Sequence, residues 1–229
     1  MQVAAVVVLV VAVVVGGYLI SRYITQKRRD ALTAVANRLG FQYSPDDPFD
    51  TLALPFSLFE RGDGRGVENV LWGTAGNLMV RLCDYWYYDE RTVANGSRHR
   101  SYYRFSCATT SIDADVPGIT IGRENVLTRL GGALGFDDIE FESEEFNRVF
   151  RVKSGQRKFA YDMIDARMMA FLLDASSDCT FEAVGSDLLC ASDRLRPPEL
   201  PGLLSVLHEF HAHVPAVVWS LYPARGSSP

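Results

Sequence analysis

The hydrophobic pattern changes character twice along the chain. From Val3 to Ile20 no strongly polar residue interrupts an apolar run, and no charged side chain precedes Arg22. A helix over those 18 residues rises about 27 Å, close to the roughly 30 Å hydrocarbon core of a bilayer. The run, marked along its length by Val3, Val8, Val15 and Ile20, predicts a membrane anchor over residues 1–24. Valine is a mediocre helix former in water, but in lipid the backbone must satisfy its hydrogen bonds within the segment. Tyr18 and Tyr23 stand where interfacial aromatics stand, and Arg22 can snorkel to the headgroups. A cleaved secretory signal would carry a basic start, a shorter apolar core and a small-residue cleavage site, and this pattern differs in each respect.

The apolar spacing then becomes helical. Leu32, Val35, Ala36 and Leu39 continue one helix face past the basic cluster, and Gly40 is a stop signal. Ser44-Pro45-Asp46-Asp47-Pro48 reads as a turn-rich connector, so residues 25–51 form a juxtamembrane helix and link.

From residue 52 the pattern is mostly period two. Residues 67–74, 77–88 and 98–111 read as antiparallel strands, the last pair joined at Asn95-Gly96. A two-residue turn there sets Trp86 opposite Phe105, Tyr88 opposite Tyr103 and Leu82 opposite Thr109 on an apolar face. It leaves Arg81, Tyr87, Asp89, Arg100 and Arg104 on a solvated face. A short strand over residues 119–121 follows Pro117-Gly118, then a helix over 124–134. Ile139 and Phe141 point inward between Asp138, Glu140 and Glu142, with Ser143 capping a turn that carries Glu144 and Glu145. Residues 149–153 and 158–161 read as strands, and Asp165 caps a helix over 166–175. Residues 181–184 and 188–191 form a hairpin around Gly185-Ser186-Asp187. A last helix runs from Pro197-Pro198 to about Val214, with Leu200, Leu203, Leu207, Phe210 and Val214 inward. Residues 223–229 read as a disordered tail. The whole predicts an α+β protein: a transmembrane helix, then one domain over residues 52–222 with a mainly antiparallel sheet and about three packing helices.

Charge adds an orientation. Arg22, Lys27, Arg28 and Arg29 follow the apolar run and only the amino terminus precedes it, so the positive-inside rule places the bulk of the chain in the cytoplasm. The expectation is a single-pass protein of the cell membrane. Ala12 and Gly16 form a small-residue pair that can seat a second helix, so the partners expected are the membrane and either another membrane protein or a second copy. The net charge of −5 and the absence of a basic stripe beyond the juxtamembrane cluster argue against nucleic acid. Cys83, Cys107, Cys179 and Cys190 form no CxxC pair and read as reduced, buried side chains.

Candidate chemistry is sparse. Gly62-Asp63-Gly64-Arg65-Gly66 lacks the strand–helix context and Lys-Ser/Thr of a phosphate loop and reads as a turn. The acidic run from Asp137 lacks the ligand spacing and central glycine of an EF-hand. HExxH fails at Ala212, which leaves His208 and His211 as weak metal candidates about 60° apart on one helix. No cofactor is implied. These readings favour a non-enzymatic interaction or scaffold domain, with Tyr85, Trp86, Tyr88, Tyr103 and Phe105 as the candidate interaction patch. The alternative is a hydrolase-like enzyme assembled from distant groups, drawing on His99, His208, His211, Cys83 and Cys107.

The stretches DIEFESEEFNRVFRV (residues 138–152) and KFAYDMIDARMMAFLL (residues 158–173), with PFSLFERGDGRGVENVLWGT (residues 55–74), carry a resemblance. The sequence resembles a family of uncharacterised bacterial single-span membrane proteins, seen largely in actinobacteria, that carry a domain of unknown function. That family is expected to have proline where Ala166 stands. The resemblance implies a membrane-anchored α+β domain and brings no assigned site residue.

Overall fold

The apolar run and the stripe that follows it form one helix, α1 (Gln2–Leu39). In the computed structural model, residues 2–93, 96–124, 138–174 and 178–224 are described. Two halves of α1 have opposite surroundings. Val6, Leu9, Val13, Ile20 and Ile24 are exposed, whereas Leu32, Val35 and Ala36 are buried against the domain. Among the described residues this is the one helix long and apolar enough to cross a membrane by length and composition. Gly40, at φ +70°, ends it, and the Phe41 amide bonds back to the Ala36 carbonyl at 2.8 Å.

The domain is α+β, built on a six-stranded antiparallel sheet: β1 (Gln42–Ser44), β2 (Gly64–Ala75), β3 (Leu78–Thr92), β4 (Arg98–Arg123), β5 (Phe150–Lys153) and β6 (Thr180–Asp193). Strands β1 to β4 pair in chain order, β5 continues along the same edge of β4 where β3 stops, and β6 covers the other edge. Beyond α1 the helices are α2 (Glu144–Val149), α3 (Arg157–Met163), α4 (Ala166–Asp174), α5 (Leu200–His213) and α6 (Ala216–Leu221).

Both faces of the sheet are covered. One buries Val80, Leu82 and Ala108 together with α1, α4 and α5. The other buries Cys83, Tyr85, Tyr87, Phe105 and Cys107 under a lid, the 3-10 turns Thr51–Ala53 and Ser57–Glu60, which supplies Phe56, Leu58 and Phe59. Glu182, buried on β6, accepts from the Ser57 amide at 2.6 Å and its hydroxyl at 3.1 Å, fastening the lid.

This changes the expected register. The Gly96 amide bonds to the Val93 carbonyl, the Val93 amide to the Ser97 carbonyl, and Gly96 sits at φ +80°. The connection therefore counts three residues rather than two, with glycine in the left-handed position such loops require. One added residue moves every pair by one and exchanges faces. Tyr85 lies opposite Phe105, Trp86 opposite Arg104, Tyr87 opposite Tyr103, and Tyr88 opposite Tyr102.

Other expectations divide in the same physical way. Helix α5 buries Leu200, Leu203, Leu207 and Phe210 as its period demands, and the separate short helix α6 follows it. The Asp165 carboxylate caps α4 through the Met168 amide at 2.8 Å, and Ser143 caps α2 through Phe146 at 3.2 Å. Residues 158–161 are helical, not extended: Phe159, Ala160 and Met163 bury one helix face, and Lys158 pairs with Asp162 one turn on. The breaks read at Pro117-Gly118 and around Gly185 are absent. Irregular register between Ser111 and Ile119, opposite Gly185, carries β4 and β6 through as single long strands. The helix expected over 124–134 falls, apart from Glu124, outside the described residues, as does the tail beyond Ala224. Pro223 itself bridges to Ala114.

Candidate interaction site

The face of β3 that looks toward α1 holds a graded series. Val80 and Leu82 belong to the core, Asp84 follows, then Trp86 and Tyr88, because alternate residues of a strand share a face. β4 runs beside it with Ala108, Ser106, Arg104, Tyr102 and Arg100. Core, ionic cluster and aromatic–arginine surface therefore succeed one another toward the hairpin tip.

Asp84 is the junction. It is buried, and its carboxylate accepts from Arg28 twice, Nε at 2.7 Å and Nη2 at 2.6 Å. It also accepts from Asn69 Nδ2 at 3.0 Å and Arg194 Nη2 at 3.1 Å. Arg28 donates its remaining Nη1 to the Leu195 carbonyl at 2.9 Å. Helical spacing explains the reach: Arg28 stands one turn before Leu32 on the stripe that Leu32, Val35 and Ala36 bury. Asn69 sits in the β2 irregularity at φ +57°, a conformation asparagine tolerates, and Tyr43 donates to its Oδ1 at 2.9 Å. The amide is thereby turned with its donors toward Asp84. A bidentate, fully partnered arginine–carboxylate pair is strong and directional. Arg28 and Arg29 are half-buried against the domain, while Arg22 and Lys27 are exposed. Arg28 is thus a structural clamp as well as a flanking base.

Beyond the clamp the candidate patch divides between two faces. Tyr85 and Phe105 are buried under the lid, with Tyr103 stacked on Tyr87 at 4.8 Å. Trp86 and Tyr88 are half-buried on the α1 side with Tyr102, which is 50% exposed. Tyr102 lies 6.1 Å from Trp86 and 5.3 Å from Tyr88. Arg100 stacks over Tyr88 at 4.6 Å and Arg104 over Tyr102 at 5.7 Å. The rings lie flat because β2 offers glycine beneath them: a Cβ on Gly66 would come within 2.8 Å of the Trp86 ring, and one on Gly64 within 2.4 Å of Tyr88. The sequence reading places Arg100 and Arg104 on the solvated face, and the structure joins them there with Tyr102, Trp86 and Tyr88 in one patch. The glycines at every second position of residues 62–66 were its signal.

The catalytic alternatives do not converge. His208 stands beside Gly76, at the opposite end of β3 from His99, which lies on the ribbon that β3 and β4 form toward the hairpin tip, about 40 Å away at strand rise. Burial, then the neighbouring His208, lowers the His211 pKa, and its ring lies 5.7 Å from Trp219. His213 stacks on Phe171. Cys83 and Cys107 face each other under the lid, where burial and then their mutual contact push the Cys107 thiol well up, the reverse of an activated nucleophile. Cys190 is raised likewise, by burial and then by Cys179. Among the described residues no three His, Cys, Asp or Glu side chains gather as a metal site. A cavity of about 630 Å³ lies beside the clamp, between Leu195, Leu203 and Val206 and the carboxylates of Asp178, Asp193 and Glu199.

Fold and site together define a helix-led α+β domain whose long first helix is locked into its own sheet. No family model matches the chain, and no curated protein matches it. A solved structure does: the mycobacterial trehalose monomycolate transport factor A, TtfA, with a TM-score of 0.59 over 85% of this chain and 96% of that one. The two are 16% identical, so what they share is the fold.

Proposed function

We propose that this chain is a membrane-tethered, non-enzymatic accessory domain whose bulk faces the cytoplasm, serving an assembly or transport step at the membrane. The observation that carries it is the Arg28–Asp84 clamp. A domain fastened a few residues beyond an apolar helix is held against the bilayer in one orientation, which suits a part that positions partners. The fold likeness to a mycobacterial transport factor supports the same reading. The flanking bases Arg22, Lys27, Arg28 and Arg29 support the orientation. Ala12 and Gly16 offer a seat for a partner helix or a second copy.

The test has two stages. Fusion of the C-terminus to a fluorescent protein and, separately, to alkaline phosphatase should give fluorescence and no phosphatase activity; the opposite pattern overturns the orientation. In-cell crosslinking of the full-length protein should then capture a reproducible membrane partner or a second copy, with capture unchanged by H208A and H211A. Capture that is lost with the histidines, or a catalytic turnover that depends on them, overturns the accessory role.

A further inference from the structure

The clamp also fixes what the ribbon faces. Arg28 meets the sheet at Asp84, whereas Phe41, just past the end of α1, packs on Gly73, which pairs with Val80. Read from its C-terminus to its N-terminus, α1, packed on β1, β2 and the 3-10 turn Pro197–Glu199, therefore passes from the level of Val80 to that of Asp84. Continued beyond Arg28, it rises on the side of the sheet where Trp86 and Tyr88 follow Asp84. Ile20 stands about 12 Å above Arg28 at helix rise, and Tyr88 about 13 Å beyond Asp84 at strand rise. The aromatic cluster thus lies level with Arg22, Tyr23 and the end of the apolar run.

The chemistry of the ribbon matches that level. Across residues 85–105, Arg91, Arg98, Arg100 and Arg104 outnumber Asp89 and Glu90, in a chain whose net charge is −5. Glu90 is shared between Arg98 at 3.3 Å and Arg100 at 2.7 Å. Tryptophan and tyrosine favour the boundary between headgroups and acyl chains, and arginine bonds phosphate. We infer that the aromatic–arginine face formed by Trp86, Tyr88, Tyr102, Arg100 and Arg104 is a second membrane contact that docks on anionic phospholipid headgroups beside the anchor. The inference rests on the anchor reading. It assigns the exposed half of the patch to lipid rather than to a protein.

The full-length protein is reconstituted into phosphatidylcholine liposomes with and without phosphatidylglycerol, with Trp86 left as sole tryptophan by W72F and W219F. Flotation of the vesicles reports the anchor separately. A headgroup spin-labelled lipid should quench Trp86 emission, more strongly with phosphatidylglycerol, and leave Trp219 unchanged in the W72F/W86F chain. R100E/R104E should remove the quenching while flotation persists. Protein that floats with Trp86 unquenched overturns the inference and spares the anchor; protein that does not float overturns both. A photo-crosslinker at Tyr102 in otherwise unaltered protein gives a second readout, where lipid adducts support the contact and protein adducts overturn it.

Discussion

At the scale of single residues, two buried carboxylates do different work. Asp84 is stabilised by four donors, and removing it strands Arg28 and Arg194 against the domain. D84A should therefore cost about 3–5 kcal/mol in chemical denaturation of the detergent-solubilised protein. Glu182 shows the opposite balance: burial raises its pKa more than the Ser57 and Leu58 donors lower it. The folded chain then keeps a proton that the unfolded chain releases, so this contribution is complete below the ordinary glutamate value near 4.5 and is lost as pH rises through the higher folded value. E182Q retains an acceptor for Ser57 and no titrating group, so the stability slope across that window should flatten. E182A, which orphans the Ser57 amide, should lose about 1–3 kcal/mol. His211 adds a separate slope. Its lowered pKa means the unfolded chain binds the extra proton, so stability falls as pH drops from about 6.5 toward the folded value, and H211Q should remove that fall.

At the scale of elements, the central ribbon depends on empty space as much as on side chains. G66V would drive a branched side chain into the Trp86 ring. It should cost about 1–3 kcal/mol and shift Trp86 emission, whereas the same change at Gly202, where nothing lies within 4 Å, should leave that emission unchanged. The elements also show what a sequence discloses. Helical stripes at Leu32–Leu39 and Leu200–Phe210 are legible because each spans about two turns or more. Period two and period 3.6 are indistinguishable over four residues, so residues 158–161 read as a strand until Met163 completes the helix face. The ribbon's strands were legible, but its faces hinge on a single loop residue near Gly96, a difference that leaves the alternating pattern intact and reverses its meaning. Arg28 was visible as a base and invisible as a clamp, because its partner lies 56 residues away and long-range pairing leaves no local trace.

At the scale of the whole molecule, a long helix and a sheet act as one body. The apolar segment, the ionic junction and the ribbon lie in sequence along one direction, so, with the apolar segment read as an anchor, the end of the domain that meets the membrane is set by its own packing. The segment between Ile20 and Arg28 therefore acts as an angular setting rather than a spacer. Each residue added there turns the domain by about 100° about the helix axis and lifts it by about 1.5 Å. Two added residues would swing the ribbon to the far side; four would bring it back within about 40° of its starting azimuth. A flexible tether would lose contact smoothly with length, whereas this molecule should lose Trp86 quenching at two and recover much of it at four. Its tolerance to insertion is periodic.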